Sequence, residues 1–201
     1  MNITPLVCYF DDFLTPEECN HIITLAESKI EPSLVCAPTT EDNKDTRESI
    51  TSPNRTSSHT FIDPMNDTIV FGVCNKIARF ANLHPGTAEP LQVVRYEEGQ
   101  EYQPHWDGWD FNTEKNWLGH AGQRIMTALI YLNEVEEGGY TIFPELNIEV
   151  DPRPGRVVFF QNVWPGNPNR HPQSLHGGAP VIKGTKWACN LWFRERMWNA
   201  Q

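Results

Sequence analysis

The chain has 201 residues, enough for one domain with a buried core and short for two. Its formal net charge is −10, and this acidic balance argues against nucleic acid as a partner, because that affinity depends on neutralising phosphates. Neither a secretory signal pattern nor an apolar run of about 18 residues is seen, so we expect no membrane association and a cytoplasmic location. Five cysteines without CxxC spacing fit reduced thiols.

Two helices are predicted in the N-terminal part of the chain. The first begins at a capping box, with Thr15 at the N-cap, Pro16 at the first helical position and Glu18 three residues after the cap. The second follows Asp67 and has an apolar stripe at helical spacing. Between them, residues 36–58 are polar and rich in turn-forming residues, and we interpret this long loop as a candidate lid.

From Glu89 onward the sequence changes to short runs rich in β-branched and aromatic residues, separated by turn signals. The runs that predict strands are EPLQVVRY, EYQPHWD, RIMTALIYLN, YTIFPEL, RVVFFQN and KWACNLWFR. Helices followed by strands at nearly regular spacing predict a mainly β fold, a barrel or jelly roll with flanking α-helices. We expect one domain over residues 1–201, with a helical part over 1–85 and a jelly-roll core over 89–196.

A candidate metal site begins with His105 and Asp107, which stand two residues apart in the run YQPHWD. Side chains at i and i+2 point to the same face of a strand, so both can contact one ion. A third ligand must come from a distant part of the chain. His171 and His176 are the candidates, and His176 is preferred because it stands just before a Gly-Gly turn that leads to the last strand. Two histidines and one carboxylate form the ligand set of non-haem Fe(II) oxygenases.

Three further residues could serve a cosubstrate at such a site. A 2-oxoacid can occupy two open positions on the iron and dioxygen the third, while the far carboxylate of 2-oxoglutarate needs a partner if it is buried. Lys186, at the head of the last predicted strand, could reach that carboxylate. Tyr131 and Thr127 offer hydroxyl groups from one face of an earlier strand. From the pattern alone, however, Lys186 is also compatible with a surface lysine and Tyr131 with an ordinary buried tyrosine.

Five stretches of the chain carry a resemblance to a known family: PNRTSS, LQVVRYEEGQEYQPHWD, QRIMTALIYLNEVEEGGYTIFPE, GRVVFFQN and SLHGGAPVIKGTKWACNLWFRER. Together they resemble the catalytic domain of the 2-oxoglutarate- and Fe(II)-dependent prolyl 4-hydroxylases, in its short microbial, viral and plant-like form. The resemblance covers roughly residues 5–196 and is more specific than the HxD pair alone. It implies a double-stranded β-helix (jelly-roll) core, Fe(II), 2-oxoglutarate and O2 as cofactors with ascorbate as reductant, and a proline-containing peptide or protein as substrate.

The same resemblance implies roles for individual residues. The implied iron ligands, which are also the catalytic residues, are His105, Asp107 and His176. The resemblance implies Lys186, Tyr96 and Trp192 as residues of the 2-oxoglutarate cavity, with Lys186 on the far carboxylate. Tyr131 and Thr127 are expected there from their strand positions. The resemblance also implies Arg55 and Arg124 as substrate residues, and Tyr102 and Trp106 are further substrate candidates.

Departures from the family pattern leave alternatives open. Gly138-Gly139-Tyr140-Thr141 replaces the more usual Gly-Gly-Glu-Thr, and the inserts 108–122 and 162–173 are expected to frame the substrate entrance. One alternative is a related oxygenase that acts on another amino acid or a small metabolite. Another is a metal-binding jelly roll without redox chemistry, such as a zinc hydrolase, but Lys186 argues against it because a hydrolase has no cosubstrate tail to bind. The sequence does not specify a monomer or a homodimer.

Overall fold

A computed structural model describes residues 7–36, 49–114 and 118–198. Two helices, α1 (Pro16–Glu27) and α2 (Thr68–Phe80), lie where the sequence predicts them. The capping box of α1 is confirmed, since the Thr15 hydroxyl accepts a hydrogen bond from the Glu18 N–H and the Glu18 carboxylate accepts one from the Thr15 N–H. Asp67 caps α2 with its carboxylate, which accepts hydrogen bonds from two backbone N–H groups of the first turn.

Strands dominate the rest of the described chain, and each of the predicted runs contains one. The strands are β1 (Val7–Phe10), β2 (Glu31–Pro32), β3 (Val35–Cys36), β4 (Ser49–Ile50), β5 (Ser58–Ile62), β6 (Leu91–Tyr96), β7 (Tyr102–His105), β8 (Arg124–Tyr131), β9 (Glu137–Gly138), β10 (Thr141–Phe143), β11 (Ile148–Val150), β12 (Val157–Gln161), β13 (His176–Gly178), β14 (Val181–Lys183) and β15 (Lys186–Arg194).

Two antiparallel sheets form the jelly roll. The major sheet has the strand order β1-β12-β8-β15-β6-β5-β2, and the minor sheet has the order β11-β10-β13-β7. Two further pairs, β9 with β14 and β3 with β4, stand apart from these sheets. The predicted fold class, mainly β with flanking α-helices around a jelly-roll core, is confirmed.

Two apolar cores lie on opposite faces of the major sheet. Strand β12 shows the alternation that produces them, because Val157 and Phe159 face the helices while Val158 and Phe160 face the minor sheet. On the helix side, Ile22 of α1 is fully buried among strand residues. Each large side chain buried in this way contributes about 1.5–3 kcal/mol, so the helices are held against the sheet mainly by apolar contact.

The N-terminal part of the chain, expected to be helical over residues 1–85, also contains strands of the major sheet. Strands β1 and β5 extend the major sheet on either side, where β1 pairs with β12 and β5 with β6. The expectation was incomplete because both strands are short and border the predicted helices. Of the candidate lid, residues 37–48 lie outside the described residues, and the flanking strands β3 and β4 pair with each other. The assignment of the whole chain to one domain stays a prediction.

The helices α1 and α2 are short, and no helix in the described ranges has the length and apolar character needed to cross a bilayer.

Candidate metal centre

The pairing of β7 with β13 places two of the predicted ligands side by side. His105 and His176 are direct partners in this antiparallel pair, so their imidazoles leave the same face of the sheet. Their ring centroids lie 4.5 Å apart. The prediction of a Gly-Gly turn after His176 was wrong, because Gly177 and Gly178 continue β13. Gly177 suits this position, since a Cβ there would lie 2.9 Å from the Tyr102 carbonyl oxygen across the pair.

Asp107 completes the cluster from beyond the end of β7. The strand ends at His105, so strand alternation does not position this carboxylate as the sequence argument supposed. Its Oδ1 lies 3.8 Å from His105 Nε2 and its Oδ2 lies 3.6 Å from His176 Nε2. The ligand atoms of the three residues all lie within 4.8 Å of one another. The structure thus brings together the three side chains that the sequence proposes as iron ligands.

Hydrogen bonds orient both imidazoles with Nε2 toward the cluster. His105 Nδ1 lies 2.9 Å from the Gln103 carbonyl oxygen and His176 Nδ1 lies 2.9 Å from the Ser174 carbonyl oxygen. Because a carbonyl oxygen only accepts, each Nδ1 carries a proton, and in the neutral imidazole Nε2 then keeps a free lone pair. Orientation of a histidine ligand by a backbone carbonyl is the usual arrangement around protein-bound metals.

The charge states of the cluster also suit a cation. Burial, with a smaller effect from neighbouring His176, lowers the pKa of His105 well below its ordinary value, so the imidazole is neutral. Burial alone would raise the pKa of Asp107, but the neighbouring His176 and His105, and Arg124, outweigh it and lower that pKa. The cluster therefore offers an unprotonated imidazole and an ionised carboxylate at neutral pH, which are the forms that bind metal.

The cluster lies in a cavity of about 600 Å³ between the two sheets. This volume is within the range of small-molecule sites. The sequence-predicted site residues that line it are Arg55, Tyr96, Tyr102, His105, Trp106, Asp107, Arg124, His176, Lys186 and Trp192.

Comparison with known proteins agrees with this geometry. Residues 91–194 match the 2OG-Fe(II) oxygenase superfamily. Probable prolyl 4-hydroxylase 8 of Arabidopsis thaliana is 39% identical over 97% of this chain and 70% of its own length. The chain belongs to the prolyl 4-hydroxylase family. Probable prolyl 4-hydroxylase 7 of the same plant is 38% identical, with 98% of this chain and 66% of its own length covered, so the chain spans about two thirds of these relatives.

A solved structure extends the comparison to three dimensions. The viral collagen prolyl hydroxylase of Paramecium bursaria Chlorella virus-1, in a complex with 2-oxoglutarate, superposes with a TM-score of 0.73 at 29% identity. The superposition covers 94% of this chain and 95% of the viral one. The resemblance stated from the sequence is confirmed, and the family is one of 2-oxoglutarate-dependent dioxygenases.

Lys186 of this prolyl 4-hydroxylase family member is a buried cation at the cavity wall. It is 3% exposed, and its Nζ donates a hydrogen bond to the Gly139 carbonyl oxygen at 2.6 Å. The rings of Tyr96 and Tyr131 lie 5.3 and 5.4 Å from Nζ. In the described part of the chain, no carboxylate lies within ion-pair distance of Nζ. Burial lowers the pKa of Lys186 to about 7 because it disfavours the charged form, and a bound anion would favour the ammonium form again.

Tyr131 and Thr127 are not among the residues that line this cavity, and their contact with 2-oxoglutarate stays a prediction. The Tyr131 hydroxyl donates to Thr141 Oγ1 at 2.7 Å, and the Thr127 hydroxyl donates to Asp107 Oδ2 at 2.7 Å. Both side chains are fully buried, with their hydroxyl groups satisfied inside the fold. Thr141, which the sequence reasoning passed over, does line the cavity. Its agreement with the last position of the Gly-Gly-Glu-Thr pattern was the available signal.

The predicted substrate residues Arg124 and Arg55 differ in whether their charge is already paired within the protein. Arg124 forms two hydrogen bonds to the Glu89 carboxylate, at 2.7 and 2.8 Å, and stacks over Trp192 at 3.7 Å, so its charge is already matched inside the protein. Arg55 donates to the Leu34 carbonyl oxygen at 3.1 Å and lies 4.8 Å from the ring of Tyr102. This places Arg55 at the cavity wall without a carboxylate partner in the described ranges.

Two aromatic residues lie beside the metal cluster. Tyr102 stacks on His105 with ring centroids 3.6 Å apart. Trp106 is 37% exposed, and its indole N–H donates to the Pro172 carbonyl oxygen at 3.1 Å. Together they give the cavity an aromatic wall next to the cluster.

His171, the rival for the third ligand position, lies outside the cluster. Its ring packs 3.9 Å from Trp164, and its Nδ1 accepts a hydrogen bond from the Gln173 N–H. These contacts make His171 the cap of a short turn before β13, so His176 remains the candidate ligand.

Proposed function

We propose that this protein hydroxylates proline residues of a peptide or protein in a reaction that consumes 2-oxoglutarate and O2 and releases succinate and CO2. The observation that carries the proposal is that the largely buried His-Asp-His cluster lines one cavity with Lys186, which has no carboxylate partner among the described residues. Neither feature alone distinguishes an oxygenase from another metal protein, but a cation beside a metal site suits a cosubstrate with two carboxylates.

His105, Asp107 and His176 would hold Fe(II) through two imidazole nitrogens and one carboxylate oxygen. The three ligand types and the protonation states described above fit this ion, and the small number of protein ligands leaves coordination positions for cosubstrates. When bound, Fe(II) with 2-oxoglutarate and O2 supplies the oxidant that inserts oxygen into a C–H bond. The protein's own task is to hold these groups in place and to limit water around them.

Lys186 would bind and orient the far carboxylate of 2-oxoglutarate. A buried carboxylate is stable only with a partner, and a buried ammonium group has the same need, so the two groups satisfy each other. The Thr141 hydroxyl, also at the cavity wall, could donate a hydrogen bond to the same carboxylate. Tyr131 contributes indirectly, by fixing the Thr141 side chain.

A proline-containing peptide suits the aromatic wall of the cavity. Polyproline II segments are extended and carry little conformational entropy to lose, and aromatic grooves bind them in several protein families. Trp106 and Tyr102 would contact such a segment next to the metal, where the target carbon must lie. Arg55 would donate hydrogen bonds to a peptide carbonyl oxygen. Arg124, already paired with Glu89, would contribute by holding the ring of Trp192.

The decisive experiment incubates the protein with Fe(II), ascorbate, 2-oxoglutarate and a panel of proline-rich peptides. We expect one peptide to gain the mass of one oxygen atom in step with succinate release. The variants His105→Ala and Asp107→Ala should release no succinate and keep their fold, while His84→Ala, at an exposed histidine away from the cavity, should behave as the wild type. Succinate release without a mass gain in any peptide would reject peptidyl proline in favour of another substrate.

A cytoplasmic location and the use of ascorbate belong to the same proposal. Cys8, Cys19, Cys74 and Cys189 carry free thiols, which suits a reducing compartment. Ascorbate would keep the bound iron ferrous between turnovers, and omission of ascorbate from the assay should shorten the time over which product accumulates.

A further inference from the structure

A chain of buried polar side chains behind the metal cluster has no part in the mechanism proposed above. The Thr127 hydroxyl donates to Asp107 Oδ2 at 2.7 Å, and Asn162 Nδ2 donates to Thr127 Oγ1 at 2.8 Å. Asn162 and Thr127 are fully buried and Asp107 is 8% exposed. We propose that Asn162 is a positioning residue of the metal centre, which acts through Thr127 to fix the carboxylate of Asp107. This inference rests on the proposed function for the identity of the metal site.

Asp107 has a particular need for such support. Both histidine ligands lie in paired strands, where the backbone register fixes them, but Asp107 lies beyond the end of β7. Among the described residues, the Asp107 carboxylate accepts a side-chain hydrogen bond from the Thr127 hydroxyl. Thr127 lies in β8, an inner strand of the major sheet, so its hydroxyl offers a fixed hydrogen-bond donor to a ligand that lies on a loop.

The direction of the hydrogen bonds follows from the donors available. A hydroxyl group has one proton, and an ionised carboxylate can only accept, so the Thr127 proton is committed to Asp107. The oxygen of Thr127 can then only accept, and the group 2.8 Å away must be the amide nitrogen of Asn162. Asn162 therefore holds the Thr127 hydroxyl in the rotamer that donates to the ligand.

Asn162 is held in place by its own backbone. It follows β12, its N–H donates to the Ile125 carbonyl oxygen at 3.0 Å, and its carbonyl oxygen accepts from the His171 N–H at 2.8 Å. These contacts involve main-chain atoms and would survive a change of side chain. The side chain can therefore be replaced without removing the frame around it.

The side-chain carbonyl oxygen of Asn162 indicates that the residue has a role besides stability. Its Oδ1 is buried and accepts no hydrogen bond from the residues that the structure describes. A buried acceptor without a donor is unfavourable, and an apolar side chain of similar size would avoid that loss. The amide is explained if its donor end is needed at Thr127.

The test measures binding of Co(II) to the metal-free full chain by calorimetry, without turnover. Thr127→Val removes the hydroxyl at nearly constant shape, and Asn162→Leu removes the amide donor. We expect each variant to lose about 10- to 100-fold in Co(II) affinity, as is typical for the partners of metal ligands. Thr127→Ser, which keeps the hydroxyl, should recover most of the affinity, and its Co(II) absorption spectrum should match that of the wild type.

The double variant Thr127→Val with Asn162→Leu tests whether Asn162 acts through Thr127. We expect no further loss of affinity beyond that of Thr127→Val alone. Circular dichroism establishes that each variant is folded. If Thr127→Val does not fold, the Co(II) affinity of Asn162→Leu alone tests the inference. Wild-type affinity in folded Asn162→Leu, or an additive loss in the double variant, would overturn the inference.

Failure of this inference can be distinguished from failure of the proposed function. If His105→Ala binds Co(II) as tightly as the wild type, the metal centre itself is misassigned. If His105→Ala loses binding while Asn162→Leu and Thr127→Val keep it, the metal centre stands and only the positioning role is lost.

Discussion

At the scale of single residues, the buried Lys186 distinguishes this cavity from an ordinary metal site, because its amino group can pair with a bound anion. We predict that Lys186→Met raises the 2-oxoglutarate concentration needed for turnover by about a hundredfold or more, because a buried carboxylate that loses its partner is destabilised by about 3–5 kcal/mol. The protein without cosubstrate should be no less stable, since the variant removes a buried charge that lacks a carboxylate partner in the described chain.

The matched control for that change is Lys183→Met. Lys183 is 63% exposed and paired with Glu136, so its loss should leave the 2-oxoglutarate requirement unchanged. The measurement is succinate release against 2-oxoglutarate concentration, together with urea unfolding of each metal-free variant. An unchanged requirement in Lys186→Met would leave the lysine without a role in cosubstrate binding.

The same residue predicts how stability depends on pH. Burial lowers the pKa of Lys186 from 10.5 to about 7 in the folded protein. Between these values the unfolded chain holds a proton that the folded protein has released, so stability should rise with pH, by at most about 1.4 kcal/mol per pH unit. Below pH about 7 both states are protonated and this contribution is flat. Chemical unfolding of the wild type and Lys186→Met from pH 6 to 10 checks it, because only the wild type should show this rise.

The sequence was sufficient to predict those site residues whose type and spacing are unusual. An HxD pair, a late histidine and a lysine in an apolar strand are visible in the sequence once the strands are assigned, and all four side chains line the cavity. Asn162 and Thr141 have no such signature, because buried asparagine and threonine occur throughout proteins. The depth of Tyr131 was not predictable, because strand alternation gives the face of a residue but not how deeply its hydroxyl is enclosed.

At the scale of elements, the metal centre depends on the close approach of β7 and β13. A Cβ on Gly177 would lie 2.9 Å from the Tyr102 carbonyl oxygen and 3.1 Å from the Pro104 nitrogen. We predict that Gly177→Ala separates the strands, destabilises the fold by about 1–3 kcal/mol and weakens Co(II) binding, because His105 and His176 face each other across this pair. Thermal unfolding and calorimetry measure the two effects.

Gly178→Ala provides the control from the neighbouring position. A Cβ there would meet its nearest neighbours, Tyr102 N and Tyr96 Oη, only at 3.8 Å, an ordinary van der Waals distance. This variant should keep both stability and Co(II) affinity near the wild-type values. Equal losses in the two variants would mean that glycine flexibility, and not close strand contact, governs this pair.

Elements with strong local signals were predictable, and those defined by tertiary contact were not. The capping box of α1 and the apolar run of β8 are encoded within a few residues. Strand β13 reads His-Gly-Gly, a composition with little β propensity, and exists because β7 and β10 pair with it on both sides. The edge strand β1 is likewise stabilised by its pairing with β12.

At the scale of the whole molecule, the jelly-roll topology brings distant parts of the chain to one site. The order of the minor sheet places β13 beside β7, although three predicted strand runs separate them in sequence. Lys186 begins β15, whose neighbours are β8 and β6, and so enters the cavity from the major sheet. His105 and His176 on the minor sheet therefore lie opposite Lys186 on the major sheet, and a molecule that contacts both sides would link the two sheets.

This arrangement predicts that a metal ion and 2-oxoglutarate stabilise the protein cooperatively. With Mn(II) present, 2-oxoglutarate can use both the metal and Lys186, whereas without metal it has the lysine alone. Each ligand at 100 times its dissociation constant should contribute about 2.7 kcal/mol, and the effect of both should exceed the sum measured at the same concentrations. A chelator should reduce the 2-oxoglutarate effect to that of the metal-free protein. Thermal unfolding with each ligand alone and with both measures this coupling.

Succinate serves as the matched ligand, since it carries two carboxylates but lacks the keto oxygen. It should pair with Lys186 and stabilise the protein weakly, with little further gain from Mn(II), because a single carboxylate oxygen replaces the two-point contact of a 2-oxoacid. If 2-oxoglutarate gave the same shift with and without Mn(II), the cosubstrate would not reach the metal. The two sheets would then hold independent sites, and Lys186 would have to be assigned to a ligand other than the one at the histidines.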